Sequence, residues 1–111
     1  MESTRQSKVA RQIQKDISEI FQNLDRSVLQ GRLVTVTVVR MSPDLSLAKI
    51  FLSIFPSTDK ETFLEGIRQN GKQIRNLLGQ KVRNQLRIVP ELAFNIDDSI
   101  DYTERIEQLL K

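Results

Sequence analysis

Cysteine and histidine are both absent from the 111 residues. Without cysteine there is no disulfide framework and no thiolate metal site, a usage that fits a reducing compartment. Without histidine the commonest general base and the commonest zinc ligand are missing as well. Catalysis would have to rest on Asp, Glu, Lys, Ser or the single Tyr102. Long apolar runs are lacking too: no stretch approaches the roughly 20 residues of a membrane span, and the opening MESTRQSKVARQIQ has no apolar run. A cytoplasmic protein is expected. Glycine (4) and proline (3) are few, while 39% of residues are hydrophobic and 28% charged, which is the composition of a globular chain rather than a disordered or fibrous one. The length suits one domain, residues 1–111, with one core.

What is present is a sorted charge. The net +3 divides into +3 over residues 1–40, −1 over 41–63, +5 over 64–90 and −4 over 91–111. Residues 66–90, GIRQNGKQIRNLLGQKVRNQLRIVP, hold Arg68, Lys72, Arg75, Lys81, Arg83 and Arg87 with no acid. A surface shaped for solubility alone mixes both signs, whereas a one-signed surface repels itself and suits a polyanion. Nucleic acid is the partner this pattern implies, and a solvated charged face is the plain alternative.

Hydrophobic spacing predicts the elements. Val9, Ile13, Ile17, Ile20, Phe21 and Leu24 share a helical face over residues 7–24, with Lys8, Arg11 and Lys15 on the opposite side. LVTVTVVR alternates Val34, Val36 and Val38 against Thr35, Thr37 and Val39; apolar on both phases, it reads as a central strand. MSPDLS supplies a turn, and LAKIFLSIF puts Ala48, Ile50, Leu52 and Ile54 on one face against Lys49, Phe51, Ser53 and Phe55. Thr58 with Glu61 matches a capping box for a helix over 59–69, which Asn70-Gly71 would end in a left-handed conformation. A further helix over 72–84 buries Ile74, Leu77, Leu78 and Val82. Lys81 falls awkwardly towards its apolar side, and Gly79 marks either a bend or a close approach. A third strand over 86–97 contains Pro90, which places it at an edge or a bulge. A last helix over 100–110 turns Ile100, Ile106, Leu109 and Leu110 inward.

Three motifs invite chemistry. Gly66-x-x-x-x-Gly71-Lys72 matches a phosphate loop up to its last position, where Gln73 replaces the metal-holding Ser or Thr, and it follows a helix instead of a strand. A helix-helix junction accounts for it. Asp97, Asp98 and Asp101 could gather a hard cation, or could simply serve the N-terminus of the last helix. Phe51 and Phe55 share a strand face with Lys49, as a base-stacking platform would require, or as packing partners of neighbouring elements would. No cofactor, metal site or small-molecule substrate is called for.

The order α-β-β-α-α-β plus a C-terminal helix, an α+β arrangement, is similar to the type II KH fold, which implies a three-stranded sheet in the order 2-1-3 with helices on one face. KH domains grip RNA with a Gly-x-x-Gly loop, and here the corresponding junction is Asn70-Gly71-Lys72-Gln73. A KH-like domain lacking that loop, together with RQSKVARQIQKDISEIF, VTVTVVRMSPDLSLAKIFLSIF, IRNLLGQKVRNQLRIVPELAF and DDSIDYTERIEQLL, resembles the ribosome-binding factor A family over nearly the whole chain. The family's Ala-x-Gly kink is replaced here by Asn70-Gly71-Lys72. The resemblance implies a non-enzymatic, monomeric assembly factor that binds the small ribosomal subunit and its RNA, aids late maturation, and matters most in the cold. The candidate phosphate contacts are Lys72, Arg75, Lys81, Arg83, Arg87 and Arg68, extended by Lys8, Arg11 and Lys15.

Overall fold

The computed structural model describes residues 3–24, 26–86 and 88–97. The expected last helix, with Asp98 and Asp101, and the candidate Arg87 lie outside the described residues. The first helix, α1 (Thr4–Asn23), starts earlier than its apolar spacing suggests. Ser3 Oγ accepts from the Gln6 amide at 3.2 Å and Gln6 Oε1 accepts from the Ser3 amide at 2.7 Å, a reciprocal capping box that adds a turn. Behind it Ala10, Ile13, Ile17, Ile20 and Phe21 are buried as one stripe. A short helix, α2 (Arg26–Leu29), stands between α1 and the first strand.

The hairpin forms as expected from β1 (Leu33–Met41) and β2 (Leu47–Phe55), and β3 (Glu91–Ile96) completes the sheet. The strand order is β1-β2-β3, so the expected order 2-1-3 is corrected: β2 is central and β1 lies at an edge. The apolar residues on both phases of β1 have another cause. Val36 pairs with Leu52 and Val38 with Phe51, leaving Thr37 as the extra residue of a β-bulge. The bulge switches the phase, so Val36, Val39 and Met41 are buried and Val38 is exposed. Its edge is answered by α1, whose Gln6 and Gln14 carry amides to the Met41, Val36 and Thr37 carbonyls. β2 carries Ala48, Ile50 and Leu52 at 0% exposure, as suits the middle strand. β3 runs parallel to β2, which demands a long crossover, and it begins just after Pro90 at the far edge.

That crossover contains α3 (Lys60–Gln69) and α4 (Gly71–Val82). The expected Thr58 capping box does not form. Asp59 is the cap residue, left-handed at φ 53° and without a side-chain cap bond, while the Thr58 carbonyl is held by the Arg32 guanidinium at 2.5 Å. Asn70 serves as boundary to both helices at φ −93°, so the expected left-handed ending is corrected as well. Its Nδ2 instead donates to the Gly66 carbonyl at 2.9 Å. Gly79 is a close approach: a Cβ there would stand 3.2 Å from Val89 Cγ2. Phe63, Leu64, Ile67, Ile74, Leu78 and Val82 join the α1 stripe over one face of the sheet, and Phe21 meets Phe94 edge to face at 6.1 Å.

Candidate nucleic-acid interface

The extra turn at the start of α1 brings Arg5 onto the helix, three residues before Lys8. Arg5, Lys8, Arg11 and Lys15 are all exposed and fall within about 120° of one another at 100° per residue. They form a row about 15 Å long at 1.5 Å per residue. Glu19 continues the row and would break its sign, but Lys81 on α4 holds it in an ion pair at 2.9 Å. The hydrogen bond and charge of Lys81, with a smaller contribution from Lys15, lower the Glu19 pKa below the usual carboxylate range. The same bond raises the Lys81 pKa. Apolar spacing alone, which starts the helix at residue 7, leaves Arg5 off it and hides it as a site residue. Ser3-x-x-Gln6 is the signal that finds it.

The acid-free segment is not one surface. Arg75 is half-buried and donates through Nε to the Pro90 carbonyl at 3.0 Å and through Nη2 to the Val89 carbonyl at 2.7 Å. Arg68 donates to the Phe94 carbonyl at 3.1 and 2.8 Å and reaches Glu65 at 3.3 Å. Both guanidiniums therefore tie the helices to the chain entering and forming β3 through main-chain carbonyls, and Arg68 also pairs with the Glu65 carboxylate just outside the acid-free segment. Lys81 is engaged with Glu19. Lys72, in the first turn of α4, and Arg83, just past its end, are exposed and make no ion pair among the described residues; the same holds for Lys8, Arg11 and Lys15. Arg5 shares a cavity of about 380 Å³ with Gln85 and Leu86, so the α1 row meets the chain that follows Arg83.

Gly66 lies inside α3 and Gly71 opens α4, so the phosphate-loop spacing runs along two helices and makes no loop. Asp97 accepts from Thr37 Oγ1 at 2.5 Å, and no group of three His, Cys, Asp or Glu placed to hold a metal occurs among the described residues. Phe51 is half-buried and Phe55 is 70% exposed. A cavity of about 410 Å³ between α2 and α3 is lined by Ser27, Asp59, Asn70 and Arg32, whose guanidinium stacks 5.0 Å from the Phe63 ring centre. Among the described residues no helix is long and apolar enough to cross a membrane.

Three helices on one face of a three-stranded sheet, with unpaired cations along the outside of the helical layer, define an α+β domain of the KH-like class. The model of the family described as ribosome-binding factor A matches residues 5–110. The chain belongs to the ribosome-binding factor A family. Ribosome-binding factor A of Cytophaga hutchinsonii is 46% identical over 110 residues, covering 99% of this chain and 83% of that relative. The crystal structure of ribosome-binding factor A from Thermus thermophilus superposes with a TM-score of 0.71 at 24% identity, over 82% of this chain and 93% of that one. A homology model of the Thermus thermophilus factor, fitted into a cryo-electron microscopy map of its 30S complex, gives 0.62 at 24% identity, over 80% and 91%.

Proposed function

We propose that this chain binds the free or immature small ribosomal subunit through its ribosomal RNA and assists late maturation of that RNA, including in the cold. It acts as a cytoplasmic, monomeric, non-enzymatic factor. Membership of the ribosome-binding factor A family supports the reading, as does the 30S complex in which the Thermus thermophilus factor has been placed. The observation that carries it is the row of Arg5, Lys8, Arg11 and Lys15, kept one-signed by the pairing of Glu19 with Lys81. Phosphates are the ligands such a row suits, and their neutralisation makes affinity depend on salt. Lys72 and Arg83 extend the contact, with Arg87 as a further candidate. Arg68, Arg75 and Lys81 add positive potential while their hydrogen bonds hold the fold together.

The test is co-sedimentation with purified small and large subunits across a salt series. It compares wild type with a Lys8→Glu, Arg11→Glu, Lys15→Glu variant and a Lys72→Glu, Arg83→Glu variant, each checked for folding. Selective small-subunit binding that both variants weaken is the expected result. Equal binding to the two subunits would reduce the protein to a generic RNA binder, and absence of binding would remove the reading.

A further inference from the structure

Ala48, Ile50 and Leu52 of β2 are buried beneath the helical layer, so Lys49, Phe51 and Ser53 between them point to the opposite face of the sheet. There Arg40 of β1 stands directly opposite Lys49, and Val38 opposite Phe51. On the β3 side, Ala93 is the partner of Lys49 and Asn95 that of Phe51. The polar pair Thr35 and Ser53 separates this patch from the exposed Leu33 and Phe55. The patch is therefore small, one step of two residues or about 6.8 Å along each strand.

Its charge arrangement carries a cost. Side chains directly opposite across an antiparallel pair stand about 5 Å apart at Cβ, and like charges in that position destabilise the sheet. Arg40 and Lys49 are both exposed, and neither makes an ion pair among the described residues. The acids nearest in register on this face are Glu91, beside Leu47, and Asp97, whose carboxylate accepts from Thr37 Oγ1; neither pairs with the two cations. An anion that bridges Arg40 and Lys49 removes the repulsion, and a phosphate has both the charge and enough oxygens to accept from the two at once.

Beside the cations lies a place for a base. Phe51 is half-buried, and with Asn95 it shares the wall of a cavity of about 570 Å³ that reaches past Ile96 to α3. Asn95 Nδ2 donates to the Ala93 carbonyl at 3.3 Å, while its Oδ1 accepts from nothing among the described residues. The free Oδ1 and the second amide hydrogen are a donor–acceptor pair that matches adenine, whose N6 donates and whose N7 accepts. Unstacked RNA bases are held in this manner, laid on an aromatic ring and read at one edge. A cation pair for phosphate and, two residues along the strand, a ring for the base follow the order of groups within a nucleotide.

We propose that Arg40, Lys49, Phe51 and Asn95 bind a single-stranded RNA segment, with one phosphate bridging the two cations, a base stacked on Phe51, and adenine preferred through Asn95. This site rests on the proposed function for RNA as the partner and adds a second contact on the face opposite the α1 row. One domain then holds two RNA segments, one on each side of its sheet.

The probe is a fluorescein-labelled oligoadenylate of about eight nucleotides, compared with oligouridylate of the same length and read by fluorescence anisotropy against the full chain across a salt series. Arg40→Gln with Lys49→Gln should lower the salt slope by about 0.7, one phosphate of a single strand, without lowering stability in urea, since it removes a repulsion. Phe51→Leu keeps the apolar bulk and should weaken binding about 5-fold or more, whereas Phe51→Tyr keeps the ring and should retain it. Asn95→Ala should remove the preference for oligoadenylate. Circular dichroism checks each fold, and the exposed cation pair still reports if a Phe51 variant fails to fold. Loss of binding in these variants, while Lys8→Gln, Arg11→Gln with Lys15→Gln still binds oligoadenylate, supports the site whether or not the α1 row binds the small subunit. Unchanged binding in both the cation-pair variant and Phe51→Leu overturns it and leaves the α1 row untouched. Polyglutamate binding that depends on Arg40 and Lys49 but not on Phe51 would make the patch a site for an acidic protein, and also overturns it. Absence of any RNA binding by the wild type overturns both this site and the proposed function.

Discussion

Replacing Lys8, Arg11 and Lys15 together by Gln should change how RNA binding responds to salt by a calculable amount. All three side chains are exposed, none makes an ion pair among the described residues, and they lie opposite the buried stripe of α1, so Gln removes charge without disturbing packing. Each neutralised phosphate contributes about 0.7 to 0.9 to the slope of log affinity against log salt, so the triple variant should lose about 2 to 2.7 from that slope. Over a fourfold salt range this removes a factor of roughly 20 to 40 from the salt-induced loss of affinity. Arg75→Gln is the internal control. Its guanidinium is spent on the Val89 and Pro90 carbonyls, so the slope should move by well under one phosphate equivalent, about 0.7. The assay is filter binding to a small-subunit RNA fragment at several salt concentrations, with folding checked by circular dichroism. An unchanged slope in the triple variant, or a loss in Arg75→Gln as large as in the triple variant, would refute the assignment of roles.

Arg75→Met should instead cost stability, about 1.5 to 3 kcal/mol for charge-assisted hydrogen bonds to half-buried carbonyls, read from urea unfolding. Ser3→Ala removes the Gln6 cap bond and should cost about 1 kcal/mol, with faster amide exchange confined to the first turn of α1. The Asp44 pKa is lowered from 3.8 to about 2, chiefly by the Ser46 hydroxyl, then by the Ser42 hydroxyl and the Ser46 amide. Its contribution to stability is therefore complete above the ordinary value and lost as pH falls through about 2, so Asp44→Asn should flatten the acid limb of stability against pH. For the α1–α4 latch both signs apply. The contribution is complete above the ordinary 4.5 of Glu19 and is lost as pH falls through its lowered value; on the alkaline side it is complete below the ordinary 10.5 of Lys81 and is lost as pH rises through its raised value. Lys81→Met should remove both dependences in thermal unfolding followed across pH.

Particular residues show how far the sequence reaches. Ile13, Ile17 and Ile20 at helical spacing, and Ala48, Ile50, Leu52 and Ile54 at strand spacing, name their elements and their buried faces because periodicity reports which side of a local structure avoids water. Pro90, expected to mark an edge or a bulge inside a longer strand, instead stands just before β3, which begins at Glu91 and does lie at an edge. The rest depends on contacts between residues distant in the chain. One extra residue in β1, Thr37, inverts its pattern and makes an edge strand read as a central one, because strand identity is judged by alternation and a bulge breaks alternation. Charge behaves in the same way: the sequence alone determined that basic residues gather between 66 and 90, since that is a matter of composition along the chain. Only the tertiary structure decided that Arg68 and Arg75 face carbonyls, that Lys81 silences Glu19, and that Arg5, Lys8, Arg11 and Lys15 are left as the open row. A side chain's partner is fixed by the folded surface around it, which no local pattern records.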